Sequence, residues 1–341
     1  MRLIRKLPDA EALIRKYSLS PEQMEKRKSR IAEIQQVLAG TDPRKLLIIG
    51  PCSADREDAV LVYTERLAAL QEKVKVQFLI IPRIYTAKPR TTGIGYKGLL
   101  HSPSSFQEKE NLWSGIIAMR KMHLHVVESS GFFCADEMLY PEIVYYCMDI
   151  LAYLTVGARS VEDQAHRMMA SAVDMPVGMK NPVSGNWLVM MNSIMAAQHE
   201  QMMIFHGWEV YAEGNSYAHA VIRGFQDNQD HMHPNYHFED LRELHDVYRK
   251  TNLKNMAVIV DCNHCNSGKN YAEQIRIARE ICQSCRQDRA IDRLVKGLMI
   301  ESYLEDGSQL VGGGVFGKSI TDGCLGWNKT EALILSLAEQ F

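Results

Sequence analysis

No apolar run in this sequence is long enough to cross a bilayer, which excludes a helical membrane protein. The segment Met1 to Tyr17 alternates charged and apolar residues and lacks the apolar core of a secretory signal. Charge of one sign is scarce: the net value is −2 at pH 7, so there is no global basic footprint for nucleic acid. Any anion must be held by Arg and Lys gathered locally. Low-complexity tracts and Pro/Gly-rich linkers are also missing, so nothing divides the chain into separate catalytic units. The 8 cysteines, without a secretory signal, point to reduced thiols and a cytoplasmic protein.

What is present is apolar: 46% of the residues are hydrophobic, enough for a large core. Residues 1–44 read as an N-terminal helical extension. Ala10, Leu13, Ile14 and Tyr17 recur at helical spacing, as do Met24, Ile31, Ile34 and Leu38. Ser20-Pro21-Glu22 supplies an N-cap and a first-turn proline; Gly40 and Pro43 close the segment.

Strand-length apolar runs follow, at Leu46–Ile49, Phe78–Pro82, Phe132–Ala135, Tyr153–Val156, Pro176–Met179, His219–Ile222, Ala257–Val260 and Leu298–Ile300. Helical stretches such as Ala59–Gln71, Gln164–Val173, Phe238–Tyr248 and Tyr271–Cys285 lie between them. Such repetition means parallel pairing with right-handed crossovers, and eight units close a TIM (β/α)8 barrel, expected over residues 45–341. Met202–Trp208 and Val210–Ala212 form a further strand-like pair, read as an inserted antiparallel β-ribbon.

The residues after these runs carry the chemistry. In order they are Cys52, Arg83, Glu137, Arg159, Lys180, Arg223, His264 and Glu301, with Asp322 in the next loop. In a parallel barrel all these ends face one mouth, where active sites are built. Charged groups there are costly unless paired or ligated. Arg83, Lys88, Arg90, Arg159, Lys180 and Arg223 imply a substrate with several negative charges. Cys52, His264, Glu301 and Asp322 combine soft, borderline and hard donors, as a divalent-metal site does.

Cys52 alone would more often be a small buried hydrophobe, but its place after the first strand reverses that reading. The Cys262–Cys265 and Cys282–Cys285 pairs have zinc-ribbon spacing. A helix of about fifteen residues between them would hold its ends roughly 20 Å apart, too far for one tetrahedral site. His231, His233 and His237 sit in a polar stretch and read as a solvated loop.

The motifs Gly50-Pro51-Cys52-Ser53, Lys88-Pro89-Arg90-Thr91-Thr92, Gly157-Ala158-Arg159-Ser160, Gly178-Met179-Lys180-Asn181 and Ile222-Arg223-Gly224 come in a telling order. Asp261-Cys262-Asn263-His264, Glu301-Ser302 and Gly317-Lys318-Ser319-Ile320-Thr321-Asp322 complete it. The chain resembles the type I 3-deoxy-D-arabino-heptulosonate 7-phosphate (DAHP) synthase family of the shikimate pathway, from about Arg44 to Phe341. The resemblance implies condensation of phosphoenolpyruvate with erythrose 4-phosphate, one divalent metal ion (Mn, Fe, Co or Zn) and a homo-oligomer, dimer or tetramer. It implies that Cys52, His264, Glu301 and Asp322 hold the metal. Arg83, Glu137, Arg159, Lys180 and Arg223 would bind phosphoenolpyruvate, and Lys88, Arg90 and Thr91 the sugar phosphate. Lys88, Arg159, Lys180 and His264 would take part in catalysis. An aromatic-amino-acid feedback pocket would lie at the extension and the ribbon, but Asp174 stands where the phenylalanine-sensitive form has a small hydroxyl. The competing readings are a paralogue using another aldose phosphate or an imino-sugar acceptor, and a silent metabolite-binding barrel.

Overall fold

The computed structural model describes residues 1–90, 93–103 and 110–341. Helix α1 (Ala10–Lys16) is capped by Asp9, whose carboxylate accepts from the Ala12 N–H at 2.7 Å. Helix α2 (Pro21–Ala39) begins in a reciprocal box: Ser20 Oγ accepts from Gln23 N, and Gln23 Oε1 from Ser20 N. Gly40, at φ 78°, ends it.

Strands and helices then alternate: β1 (Lys45–Gly50), α3 (Glu57–Val74), β2 (Phe78–Pro82), α4 (Leu112–Ser130), β3 (Ala135–Glu137) and α5 (Pro141–Val144). Next come β4 (Tyr153–Val156), α6 (Gln164–Ala172), β5 (Val177–Lys180) and α7 (Trp187–Gln198). One hairpin, β6 (Gln201–Phe205) and β7 (Trp208–Ala212), precedes β8 (His219–Ile222). A smaller one, β9 (Phe225–Gln226) and β10 (Met232–His233), follows it. The remaining elements are α8 (Phe238–Arg249), β11 (Val258–Asp261), α9 (Gln274–Gln287), α10 (Arg289–Leu294), β12 (Val295–Glu301) and α11 (Trp327–Ala338).

Eight strands pair in parallel in the order β2-β1-β12-β11-β8-β5-β4-β3. A parallel bridge between Arg83 and Ala135, with Ile84 N donating to Ala135 O at 2.9 Å, closes the two outer strands into a barrel. Residues of β1, β2, β4, β5, β8 and β11 are buried on both faces, as helix-covered parallel strands must be. Register sets the height of the strand ends. Gly50 stands opposite Glu301, and Ile49 opposite Pro82. Cys52, Arg83 and Glu301 therefore leave the barrel at one level.

The third strand lies further along than the apolar run Phe132–Ala135. Phe132 and Phe133 are buried but unpaired; pairing with β4 starts at Ala135 opposite Tyr153. The inserted ribbon is present, and it turns at His206-Gly207, both at positive φ (49° and 80°). That is the backbone of a two-residue hairpin turn, which splits the expected Met202–Trp208 strand. The ribbon buries Met203 and Ala212 and exposes Met202, Ile204 and Tyr211.

Arg27 of α2 donates to Leu151 O at 2.7 Å and pairs with Asp174 through both carboxylate oxygens, at 2.9 and 2.8 Å. Leu151 and Asp174 precede β4 and β5, so the extension docks against the barrel end opposite the mouth. Among the described residues, no helix is long and apolar enough to cross a membrane.

Candidate active site

A cavity of about 130 Å³ opens at the C-terminal ends of the strands. Its walls bring together Arg83, Lys88, Arg90, Glu137, Arg159, Lys180, Arg223, His264 and Asp322, all singled out in the sequence. Cys52 and Glu301 lie buried beside them. Thr91, assigned to the sugar phosphate, lies outside the described residues. Lys269, which the sequence reading passed over, is also in the wall.

The donor set fits a divalent metal ion. Cys52, Glu301 and Asp322 each offer a ligand atom, and these atoms lie within 4.8 Å of one another. Glu301 Oε2 accepts from Asn263 Nδ2 at 2.6 Å, which fixes the carboxylate and turns Oε1 toward the cavity floor. That Oε1 is buried and makes no hydrogen bond of good geometry, although Arg83 Nη2 is 2.9 Å away. His264 stands outside the three-residue group, with Nε2 3.8 Å from Glu301 Oε1 and Nδ1 2.9 Å from Asp261 Oδ2. Asp261 thus stands behind the imidazole, where carboxylates stand behind metal-binding histidines, although neither Oδ2 nor Nδ1 makes a hydrogen bond of good geometry.

Electrostatics follow from burial. Desolvation, reinforced by the Glu301 charge, pushes the Cys52 thiol up to about 11. Lys88 Nζ lies 2.6 Å from Cys52 Sγ and 3.0 Å from Asp322 Oδ2. Burial opposes its charge, but Cys52, Asp322 and Glu301 outweigh that and hold the ammonium well above its usual range. Desolvation lowers His264 despite the Asp261 charge, which favours a neutral ring. Lys180 pairs with the fully buried Asp261 at 3.5 Å.

Several supporting residues were not legible in the sequence. Asp136, beside Glu137, accepts from Thr86 N at 2.9 Å, Thr86 Oγ1 at 2.6 Å and Glu137 N at 2.7 Å. This buried carboxylate clamps the segment leading to Lys88 and Arg90 onto β3 and fixes the backbone of Glu137. Gly157 leaves room for the Glu137 carboxylate, because a Cβ there would push Glu137 Oε1 aside. Asn181 accepts from Arg223 N at 2.9 Å and donates to Gly224 O at 2.9 Å, tying the ends of β5 and β8. Among the three polar-loop histidines, His231 and His233 share Asp227, whereas His237 pairs with Glu280.

Residues 20–334 match the family described as DAHP synthetase I. The chain is 35% identical over 316 residues to the Phe-sensitive phospho-2-dehydro-3-deoxyheptonate aldolase of Escherichia coli K12, covering 89% of this chain and 86% of that one. It is 36% identical over 311 residues to the Trp-sensitive enzyme of Enterobacter agglomerans, with the same two coverages, 89% and 86%. A solved structure of the Francisella tularensis SCHU S4 phospho-2-dehydro-3-deoxyheptonate aldolase superposes with a TM-score of 0.91 at 28% identity, covering 100% of this chain and 98% of that one. With a closed parallel barrel, a cation-lined mouth and a match running through both, the chain belongs to the DAHP synthetase I family.

Proposed function

We propose that Cys52, His264, Glu301 and Asp322 hold one divalent metal ion, Mn, Fe, Co or Zn, beside a cavity that gathers phosphoenolpyruvate and erythrose 4-phosphate. The reaction is their condensation with water to DAHP and phosphate, the first step of aromatic amino acid biosynthesis. The observation that carries the site reading is the cavity wall, where cationic side chains outnumber the two acidic ones, Glu137 and Asp322. Such a wall suits reactants that bring a carboxylate and two phosphates together.

When bound, the ion supplies Lewis acidity toward the aldehyde. The protein's own groups do the rest. Arg159 and Arg223, with Arg83 and Lys180 below them, orient phosphoenolpyruvate so that its terminal carbon faces the aldehyde carbon. Lys88 Nζ, with Arg90 beside it, is placed to give a proton to the aldehyde oxygen as the carbon–carbon bond forms. Water would then add at the phosphate-bearing carbon, with the Glu137 carboxylate of the cavity wall taking the proton it sheds. The carbon–oxygen bond to phosphate then breaks, and the cations balance the departing charge.

Phosphate release from phosphoenolpyruvate should depend on erythrose 4-phosphate, in a coupled assay with a series of aldose phosphates. Faster release with a five-carbon acceptor would move the chain to the paralogue reading, and no release with any acceptor would favour a silent barrel. The exposed apolar face of the ribbon (Met202, Ile204, Tyr211) supports a homo-oligomer, dimer or tetramer, and the free cysteines fit the cytoplasm.

The relatives' names record sensitivity to phenylalanine or tryptophan. Here Asp174 is committed to Arg27, whose guanidinium also donates to Met148 O at 2.6 Å. The ion pair puts a carboxylate held by Arg27 where the phenylalanine-sensitive form is expected to offer a small free hydroxyl. Titration with phenylalanine should therefore leave most of the activity at millimolar effector. Tight inhibition would show that the Asp174 reading is wrong.

A further inference from the structure

Lys269 is exposed at the outer rim of the cavity, and its backbone is strained. Its φ is +62°, directly after Gly268 at +57°, and its N–H donates to His264 O at 2.8 Å. A left-handed conformation is free of steric conflict for glycine and unfavourable for lysine. Non-glycine residues persist there where the surroundings fix them, and such sites cluster at functional loops. The loop after β11 is wound so that Lys269 returns to His264 and joins the cavity wall that also holds Arg90 and Arg159.

Charge pairing divides the cations of the wall, and exposure then sets Lys269 apart from the buried Arg223. Arg83 pairs with Glu301, Lys88 with Asp322 and Lys180 with Asp261. Among the described residues, the cations of the wall without a carboxylate partner are Arg90, Arg159, Arg223 and Lys269. Phosphoenolpyruvate presents two anionic groups to Arg159, Arg223 and the floor. The acceptor's phosphate is the third, at the far end of a four-carbon chain from its aldehyde. An aldehyde held near the buried Cys52 and Glu301 directs that phosphate away from the floor, toward the exposed part of the wall.

Building on the reaction proposed above, we propose that Lys269 is a specificity-determining residue that holds the phosphate of the acceptor aldose together with Arg90. It selects a phosphorylated acceptor over the free sugar and leaves phosphoenolpyruvate binding to the deeper cations. Lysine suits this place because a point charge on a long flexible stem can follow a phosphate at an open rim.

The test is steady-state kinetics of the metal-loaded full chain, with Lys269→Gln, Lys269→Gly and Lys269→Arg. Lys269→Gln should raise KM for erythrose 4-phosphate about tenfold, the size of one charge-assisted contact, with KM for phosphoenolpyruvate unchanged. Lys269→Arg should retain most of the affinity. Lys269→Gly, which relieves the backbone strain, should behave like Lys269→Gln, because the charge is what matters. With unphosphorylated erythrose, parent and Lys269→Gln should turn over equally slowly. An active parent whose variants keep KM for erythrose 4-phosphate, or lose affinity equally for both substrates, overturns the role of Lys269 alone. A parent inactive on both substrates overturns the reaction and this role with it.

Discussion

Excess EDTA is expected to abolish turnover, and several divalent ions added back are expected to restore it to different degrees. Thiolate, imidazole and two carboxylates do not select one ion by hardness, so manganese, iron, cobalt and zinc should all serve. Lewis-acid activation of a carbonyl contributes several kcal/mol, so the metal-free enzyme should lose at least about a thousandfold in kcat. Cys52→Ser replaces a thiol that can become a thiolate ligand with a poorly ionised hydroxyl, and it should weaken metal binding sharply. Cys52 is buried at the end of β1, but the change removes little volume, so circular dichroism should match the parent. Glu301→Gln should weaken metal binding alike, because it removes the charge that faces the floor while one oxygen keeps the Asn263 contact, but it should also lower the melting temperature, because it leaves the buried Arg83 without its carboxylate partner. Full activity in excess EDTA, with elemental analysis confirming a metal-free protein, would remove the Lewis acid from the mechanism.

The barrel was legible because its strands are buried on both faces and read as continuous apolar runs between amphipathic helices. The site was legible for the same reason: a charged residue directly after such a run stands out against it. Arg83, Lys180, Arg223 and Glu301 all carry that signal, and Arg159 follows its run after two small residues. Four kinds of feature were not legible. The third strand was misplaced because Phe132 and Phe133 are apolar for packing, whereas pairing is set by where the backbone meets Tyr153. The β9–β10 hairpin lies in a polar stretch, and its order comes from Asp227 and the stacking of His233 on Phe225, which no periodicity announces. Asp136 and Asp261 look like ordinary strand-end acids; only the fold shows one clamping Thr86 and the other standing behind His264. Lys269 was missed because it follows its strand by eight residues and returns to the mouth only through left-handed turns.

Arg223→Met should cut kcat/KM for phosphoenolpyruvate by about 10- to 100-fold while leaving the melting temperature unchanged or higher. The two halves of this expectation have one cause. Arg223 is only 8% exposed, and among the described residues no carboxylate pairs with its guanidinium. A buried cation without a partner costs folding free energy, so replacing it with an apolar chain of similar volume relieves the protein. The same unpaired charge is what a phosphate or carboxylate of the substrate requires, and losing one charge-assisted contact costs about 1.5–3 kcal/mol. Lys180→Met provides the contrast. Lys180 is paired with Asp261, which is fully buried, so its removal strands an anion in the barrel. Breaking such a pair commonly costs about 3–5 kcal/mol, so Lys180→Met should lose stability as well as activity. Calorimetry beside kinetics on both variants reads the difference. If Arg223→Met melts as low as Lys180→Met and keeps its affinity for phosphoenolpyruvate, Arg223 is a structural residue. If it binds substrate poorly yet melts no lower than the parent, the strand end after β8 holds a charge reserved for the ligand.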